Sequence, residues 1–421
     1  MNLLKTASLS AIPTALRMVT GIITNKIVAV YIGPAGVGLL GQMNNFFAIL
    51  ATIASAGIGS GVVKYAAEFS NDPEVHDRVV RTSLFLMLVP TILITIGSLL
   101  LTIPLAKFLF NDQSFAPYIA ATALLIPAGV FSGFCMSLWN AHMEITKLVK
   151  RNIVATLISA ATVPVFVIPF GVKGSIIAGA VAQLILFVIL LPPLKTSSWF
   201  SWSLFRPARD REFEPKLLRF AAMAATSLVM VTCVQFFIRR YIGETLSYTD
   251  AGIWQSLNRI SEMYLQVVMT SLGVYYIPKL SSLKSTSELK SEILNGYKII
   301  MPITGIIGFL IWLFRHQIIA ILYAPSFASM EQLFAYQMFG DFLKIGSWLL
   351  ATLMVSKAMT RYFVITEIIF GILNLFLHIF LIQMFGLKGA PIAYFFLYIA
   401  YFLTMIFMFR PIILSKSDTN G

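Results

Sequence analysis

The composition of this chain of 421 residues is that of a membrane protein: 58% of the residues are hydrophobic, 12% are charged, and the mean hydropathy is +0.84. About a quarter of the residues of a soluble domain are charged, so this composition excludes that class. The net charge of +13 comes from 31 basic and 18 acidic residues. We interpret this excess as a topology signal and as contact with anionic lipid, because no soluble basic domain exists that could bind nucleic acid.

Twelve apolar stretches follow one another along the chain. A helix needs about 20 apolar residues to cross the hydrocarbon core of a bilayer. The stretches are too long and too lacking in alternation for barrel strands, so we predict helices. They cover approximately residues 9–31, 37–63, 83–103, 117–140, 153–170, 174–194, 217–242, 251–277, 299–323, 333–356, 362–385 and 389–409. The predicted fold class is an all-α integral membrane protein with twelve transmembrane helices.

The basic residues predict how these helices are oriented, because Lys and Arg are retained on the cytoplasmic side of a membrane. With a cytoplasmic N-terminus, most of the 31 basic residues fall on that side. The first apolar stretch contains Arg17 and is not followed by an A-x-A cleavage site, so we interpret it as an uncleaved helix. Both termini are therefore predicted to be cytoplasmic.

Two sequence motifs recur at nearly the same distance along the chain. The tripeptide AGV at 35–37 recurs as AGI at 251–253, and FGVKG at 170–174 recurs as FGLKG at 385–389. We therefore predict two pseudo-symmetric six-helix bundles, an N-lobe of residues 1–194 and a C-lobe of residues 217–421. A basic cytoplasmic linker of residues 195–216 joins them. Two related bundles around a central site are the usual architecture of alternating-access transporters.

Polar residues recur on single helical faces inside the second half of the chain. Positions i, i+4, i+7 and i+11 share one face of a helix, and a charge at the bilayer centre costs about 2.5–3.5 kcal/mol, so such residues usually have a function. Three groups have this spacing: Gln255, Arg259, Glu262 and Gln266; Gln337, Asp341, Lys344 and Trp348; and Glu367, Gly371, Asn374 and His378. The second half is predicted to enclose a polar lining. In the first half, Met43 and Phe46 occupy the positions equivalent to Arg259 and Glu262.

The first half contributes one deep cation. Arg17 lies about 12 Å into the first predicted helix by the rise per residue, on a face with Thr14, Gly21 and Thr24. A guanidinium at this depth is expected to face protein or water rather than lipid.

Structural interpretations of the same residues remain open. Arg259 with Glu262, and Asp341 with Lys344, are i, i+3 pairs that could neutralise one another. Trp348 could pack, and Asn or Gln side chains often bridge helices. Solvation at the membrane surface could explain two residues near the ends of their helix, Glu367 and His378. Four residues at outer helix ends are interpreted as anchors: Arg239, Arg240, Arg315 and His316.

Sequence signatures of enzymes are missing. The chain has no G-x-x-x-x-G-K-[ST] phosphate loop, no H-E-x-x-H motif and no pair of Cys residues spaced for a metal, and its four His residues do not cluster. We therefore predict no catalytic residue, metal or cofactor. A membrane-integral glycosyltransferase or polymerase is the alternative from another class. Such an enzyme would be expected to carry a sizeable outer domain, whereas the predicted outer loops are short.

Several segments resemble those of Wzx-type lipid-linked oligosaccharide flippases. They are GPAGVG at 33–38, GIWQ at 252–255, YLQ at 264–266, YYIPKLSSL at 275–283 and FAYQMFGDFLK at 334–344. The resemblance covers the whole chain and includes flippases of O-antigen and enterobacterial common antigen units. It implies the polysaccharide transporter branch of the multidrug/oligosaccharidyl-lipid/polysaccharide exporter superfamily, with two MATE-like six-helix lobes around a V-shaped cavity.

The resemblance also implies a function, a location and partners. The expected function is to move undecaprenyl-pyrophosphate-linked oligosaccharide repeat units from the inner to the outer leaflet of the bacterial inner membrane by alternating access. A polysaccharide polymerase and a chain-length regulator are conceivable partners. The alternative within transport is a drug/cation antiporter of the same superfamily. A cationic lining favours the flippase, because pyrophosphate requires Arg and Lys whereas a cationic drug requires carboxylates.

We assign three hypothetical roles to the intramembrane polar residues. The cations are expected to bind the pyrophosphate. The amides and an indole ring are expected to contact the sugars. The acids are expected to compete for the cations or to bind a coupling proton or sodium ion. The pyrophosphate residues are Arg17, Arg259 and Lys344; the sugar residues are Gln255, Gln266, Gln337, Trp348 and Asn374; and the coupling residues are Glu262, Asp341 and Glu367.

Overall fold

The computed structural model describes residues 3–197, 199–283, 285–357 and 359–413, and the regular structure within these ranges is all helical. The all-α prediction is thereby confirmed. Internal contacts divide the chain into two compact units, Met1–Cys233 and Val234–Gly421, which we call the N-unit and the C-unit. This division falls inside a helix beyond the linker. The lobe boundaries at residues 194 and 217 stay a prediction.

The N-unit contains the α-helical segments α1 to α7 and the first part of α8 within the described chain. They are α1 (Leu3–Ala54), α2 (Gly59–Glu68), α3 (Pro73–Leu100), α4 (Thr102–Phe110), α5 (Ala116–Leu124), α6 (Ile126–Ala141), α7 (Ile145–Lys195) and α8 (Phe213–Thr245). Helix α1 packs along α7, and α6 packs against both α2 and α7. Buried Ile58, Phe134, Leu138 and Trp139 form part of the core where these helices meet.

The linker predicted between the lobes is attached to the N-unit. Arg78 Nε donates to Asp210 Oδ2 at 2.7 Å, and Arg78 Nη2 donates to Glu212 Oε2 at 2.9 Å. The Arg78 guanidinium lowers the pKa of the Asp210 carboxyl below its ordinary value. Phe213, at the start of α8, is buried against Val79. Two ion pairs and a buried ring therefore hold the end of the linker on α3.

The C-unit surrounds a single central helix. Its helices after α8 are α9 (Tyr248–Ser282), α10 (Thr286–Leu313), α11 (Arg315–Leu322), α12 (Phe334–Ser356), α13 (Thr360–Phe385), α14 (Gly389–Met408) and α15 (Arg410–Ile413). Helix α12 packs against α9, α10 and α14, and most of its residues are buried. Ser247 begins α9 as its N-cap, where its hydroxyl accepts from the Asp250 amide at 3.0 Å.

The repeated FG(V/L)KG motif forms the same turn in both units. Gly171 (φ 55°, ψ −130°) and Gly386 (φ 60°, ψ −144°) take positive φ values that only glycine adopts at little cost. Three residues later, Gly174 lies against the Phe166 carbonyl and Gly389 against the Leu381 carbonyl, so closely that neither site has room for a Cβ atom. The chain therefore reverses tightly at both places. The similarity that the sequence suggested extends to local geometry here.

Seven helical stretches of the described chain are long and apolar enough to cross a membrane. Three of them, of 37, 51 and 49 residues, exceed what one crossing needs. At 1.5 Å per residue, the stretch of 51 residues would measure about 77 Å, against a hydrocarbon core of about 30 Å. A glycine with positive φ interrupts each of the three stretches: Gly33, Gly171 and Gly386. Each stretch is therefore a pair of helices.

The close packing at Gly389 predicts that a methyl group added there destabilises the folded protein, whereas one added at an open helical position does not. Gly389→Ala should lower the free energy of unfolding by about 1–3 kcal/mol, because the new Cβ overlaps the Leu381 backbone. Gly179→Ala is the matched control, since nothing lies within 4 Å of the Cβ position in that helix, and Ala is the better helix former. Thermal unfolding of the purified protein in detergent compares them. Equal melting temperatures for the two variants would contradict the proposed close packing.

Candidate substrate-binding site

One face of α9 presents the first predicted polar group. Arg259, Glu262 and Gln266 are exposed and Gln255 is half-buried, whereas residues of the opposite face such as Leu257 are buried. The spacing thus places the four side chains as expected from helical geometry. Neither Arg259 nor Glu262 belongs to any ion pair formed between described residues. The interpretation of this pair as a neutralising ion pair therefore gains no support.

Asp341 on α12 is completely buried and is held by two tyrosines. Tyr264 Oη donates to Asp341 Oδ2 at 2.8 Å, and Tyr394 Oη donates to Asp341 Oδ1 at 2.7 Å. The donors come from α9 and α14, so the carboxylate joins three helices. Two hydroxyl donors compensate part of the cost of removing this group from water.

Lys344, one turn further along α12, is half-buried beside Tyr394 and a further tyrosine of α14, Tyr398. Its Nζ lies 5.8 Å from the ring centroid of Tyr394 and 5.5 Å from that of Tyr398, within the range of cation–π interactions. Between the residues described, no direct ion pair joins Lys344 to Asp341. Tyr394 instead contacts both groups, so that acid and base are linked through one aromatic ring.

The predicted sugar-binding residues of α12 and α13 lie between helices. Gln337 is buried, and its Nε2 donates to Ser261 Oγ at 3.1 Å, which makes it a bridge between α12 and α9. Trp348 is half-buried and packs against the core of the C-unit. Asn374 and Glu367 are half-buried on α13. In this conformation Gln266 is the exposed member of the sugar set, and the roles of all five residues stay predictions.

Arg17 is the predicted site residue of the N-unit. Its backbone lies in α1, but its side chain lies outside the described residues. Its assignment to the pyrophosphate therefore stays a prediction.

Arg239 on α8 differs from the sequence interpretation. It was interpreted as an anchor at the outer helix end, but its side chain is only 2% exposed. Arg239 Nη2 donates to Gln255 Oε1, and the guanidinium lies 5.8 Å from the ring centroid of Trp254. Helix α9 covers the residue, and nothing in the local sequence around Arg239 indicates that packing.

The tyrosines around Asp341 were also absent from the predicted set. A signal for them exists in the sequence, because Tyr394, Tyr398 and Tyr401 have the spacing i, i+4 and i+7 in an otherwise apolar helix. Tyrosines that repeat on one face of a buried helix need hydrogen-bond partners, which an acid on a neighbouring helix supplies.

Comparison with known proteins gives the family. The family described as polysaccharide biosynthesis protein matches residues 3–284, more than half of the chain. The chain belongs to this family. Two similar relatives are the lipid III flippases of Escherichia coli (strain K12) and Shigella flexneri, each 28% identical over 403 residues that cover 96% of this chain and 97% of the relative. These matches confirm the resemblance to Wzx-type flippases.

Similar solved structures show the fold of this chain. A MATE family multidrug resistance transporter of the MOP superfamily, in an inward-facing conformation, superimposes with a TM-score of 0.82 at 16% identity and covers 98% of this chain and 99% of its own. A MOP superfamily transporter from Pyrococcus furiosus reaches a TM-score of 0.69, also at 16% identity, covering 97% of this chain and 96% of its own. The fold is MATE-like. The two relatives are named as flippases and not as enzymes, which agrees with the prediction that the chain has no catalytic residue.

The Asp341 network predicts a graded loss of stability. Tyr264→Phe and Tyr394→Phe should each cost about 1.5–3 kcal/mol, since each removes a hydrogen bond to a charged group. The double variant should cost more than the sum, because it leaves the buried carboxylate without either hydroxyl. Tyr336→Phe is the control, an exposed position of α12 outside this network. Thermal unfolding in detergent measures all four; simple additivity would contradict joint solvation of Asp341.

Proposed function

We propose that this protein is a flippase that moves undecaprenyl-pyrophosphate-linked oligosaccharide repeat units from the inner to the outer leaflet of a bacterial inner membrane. The observation that carries the proposal is the exposed Arg259, a guanidinium in no ion pair of the described chain, on the polar face of α9 in a family member. The lipid III flippases among its relatives support the same substrate class.

The chemistry of this face suits a pyrophosphate. A guanidinium forms paired, charge-assisted hydrogen bonds to phosphate oxygens. Arg259 is exposed to receive them, and Arg17 and Lys344 are the further cations that we assign to the phosphates. Gln266 and the other amides, with Trp348, are assigned to the sugars. A site of this kind lets the polar head cross about 30 Å of hydrocarbon while the polyprenyl chain stays in lipid.

The acids are assigned to coupling. Asp341 is buried and bound by two tyrosines, and Glu262 lies on the same face as Arg259, one turn away. Glu367 is half-buried on α13. A proton or sodium ion at one of these carboxylates would change the local charge and with it the affinity of the cations for phosphate. A polysaccharide polymerase and a chain-length regulator are the protein partners that fit this function.

The proposal includes twelve crossings with both termini in the cytoplasm. Division of the three long apolar stretches at Gly33, Gly171 and Gly386, with α8 and α9 as further crossings, leads to that number. Helices α8 and α9, of 33 and 35 residues, are long enough to span a bilayer. The basic linker then lies in the cytoplasm, as the distribution of Lys and Arg favours.

Fusions to a reporter enzyme test this topology. A reporter that is active only outside the cytoplasm should be active after Gly171 or Gly386 and silent within residues 195–216. A second reporter that is active only in the cytoplasm should give the opposite result at each position, which controls for expression. Activity of the first reporter in the linker would overturn the cytoplasmic termini.

Substitutions at Arg259 test the function. In cells that depend on this protein, Arg259→Ala should abolish surface glycan and leave the lipid-linked oligosaccharide facing the cytoplasm. Arg259→Lys should restore only part of the activity, because it keeps the charge but loses the two-pronged geometry. Arg315→Ala is the matched control, at an arginine that pairs with Glu331. Lipid-linked oligosaccharide on each leaflet is measured with membrane-impermeant labelling, and membrane levels by immunoblot.

Two results would contradict these assignments. If deletion of the protein left the glycan intact but raised sensitivity to cationic dyes, the drug/cation antiporter would replace the flippase. If Arg259→Ala combined with Glu262→Ala restored the activity lost in the single variant, Arg259 would only neutralise Glu262 and would not bind phosphate.

A further inference from the structure

Arg239 is a buried cation whose guanidinium is only partly satisfied by the described chain. Its side chain is 2% exposed, and Nε and Nη1 have no hydrogen-bond partner among the residues described. None of the ion pairs that these residues form includes Arg239. Glu262, two turns beyond Gln255 on α9, attracts the guanidinium electrostatically but forms no ion pair with it.

An arginine in this state is costly. The guanidinium stays protonated at any accessible pH, so it cannot escape the cost of burial by losing its charge. A buried charge without a partner of opposite sign strongly destabilises the folded protein. The contacts present recover only part of this, through one neutral amide oxygen on Gln255 and the indole ring of Trp254. Nε and Nη1 remain without an acceptor in the described chain.

The contacts of Arg239 suit an anion chemically, although in this conformation the guanidinium is buried and Gln255 accepts from one of its nitrogens. Trp254, whose ring lies beside the guanidinium, also meets the ring of His378 edge-on, with ring centroids 6.1 Å apart. The side chains that touch Arg239 carry no negative charge. An anion would displace the contact with Gln255, because a charged oxygen binds a guanidinium about twice as strongly as a neutral oxygen does.

We propose that Arg239 is a second oxyanion-binding residue of the C-unit. In the free protein its guanidinium bonds to the amide oxygen of Gln255, and on binding an oxygen of the substrate replaces that amide oxygen. This inference rests on the proposed function and adds to it a residue and a ligand exchange. The ligand is an oxyanion, either a phosphate of the lipid pyrophosphate or a carboxylate of an acidic sugar. In this proposal Gln255 occupies the guanidinium in the absence of substrate, and this role replaces the sugar contact assigned to Gln255 above.

The exchange explains the pairing of a charged donor with a neutral acceptor. A permanent carboxylate at position 255 would satisfy Arg239 and stabilise the helices, but it would also exclude the substrate. A glutamine stabilises the free protein less and leaves the guanidinium able to bind a stronger acceptor. The neighbouring Arg240, by contrast, already pairs with Glu244, with Nε and Oε1 2.8 Å apart.

Two substitutions separate binding from structure. Gln255→Glu should raise the melting temperature, since it supplies the missing counter-charge, and should weaken oxyanion binding about tenfold or more. Arg239→Gln should weaken binding to a similar extent by removing the guanidinium. Arg240→Gln is the matched control, the adjacent arginine of the same helix, and should bind as the wild type does.

The measurement uses the full-length protein in lipid nanodiscs. Binding of undecaprenyl pyrophosphate tests the phosphate source and binding of glucuronate tests the carboxylate source, each followed by the shift in melting temperature and by equilibrium titration. Loss of undecaprenyl pyrophosphate binding in both substituted proteins assigns Arg239 to the phosphate. Loss of glucuronate binding alone assigns it to an acidic sugar.

The failures of the two proposals are distinguishable. If the wild type binds undecaprenyl pyrophosphate and both Gln255→Glu and Arg239→Gln bind it and glucuronate equally well, Arg239 is structural and this inference alone is overturned. If the wild type binds glucuronate through Arg239 but no undecaprenyl pyrophosphate, the proposed lipid substrate is overturned and the oxyanion site stands. If the wild type binds neither probe, both proposals fall.

Discussion

The cost of polar groups in hydrocarbon is the constraint on which the rest of this structure depends. Backbone groups must pair within each segment, so every apolar stretch becomes a helix. Side-chain charges must find partners or a polar surface, and the C-unit uses several solutions side by side. Asp341 is bound by two tyrosines, Lys344 lies over aromatic rings, and Arg259 occupies an exposed face. Arg259, which belongs to no ion pair of the described chain, is the charge on which the proposed site depends.

The spacing of residues along the sequence predicted those structural features that depend on a single helix. The shared face of Gln255 and Arg259, the all-helical class and the reversal at Gly386 follow from spacing and from the conformational freedom of glycine. The partners of Asp341 and the burial of Arg239 did not follow, because they depend on which helices pack together. Gln337 illustrates the difference: its register on α12 was predicted, whereas its hydrogen bond to Ser261 required knowledge that α9 lies opposite.

The two units have diverged in what they place at equivalent positions. Met43 and Phe46 occupy in α1 the positions that Arg259 and Glu262 occupy in α9. Met43 is buried, and Phe46 packs against Phe47 with ring centroids 5.8 Å apart. The turns at Gly174 and Gly389 retain one geometry, because a tight reversal tolerates no side chain there. Under the predicted repeat, the tight turn is therefore common to both units, whereas Arg259 and Glu262 have no charged counterpart at the equivalent positions of α1.

Release of the substrate is as demanding as its capture. A pyrophosphate bound by several guanidinium groups in a site of low dielectric would be held too tightly to leave, since charge-assisted hydrogen bonds strengthen as water is excluded. A transporter therefore needs competitors for its own cations. Under the proposed assignments Glu262 competes for Arg259, and Gln255 competes for Arg239. Glu262 and Arg259 both lie on α9, so a change of side-chain rotamer would bring them together, whereas Gln255 meets Arg239 across the contact between α9 and α8. Protein oxygens can thereby replace substrate oxygens at both arginines, and the substrate is released.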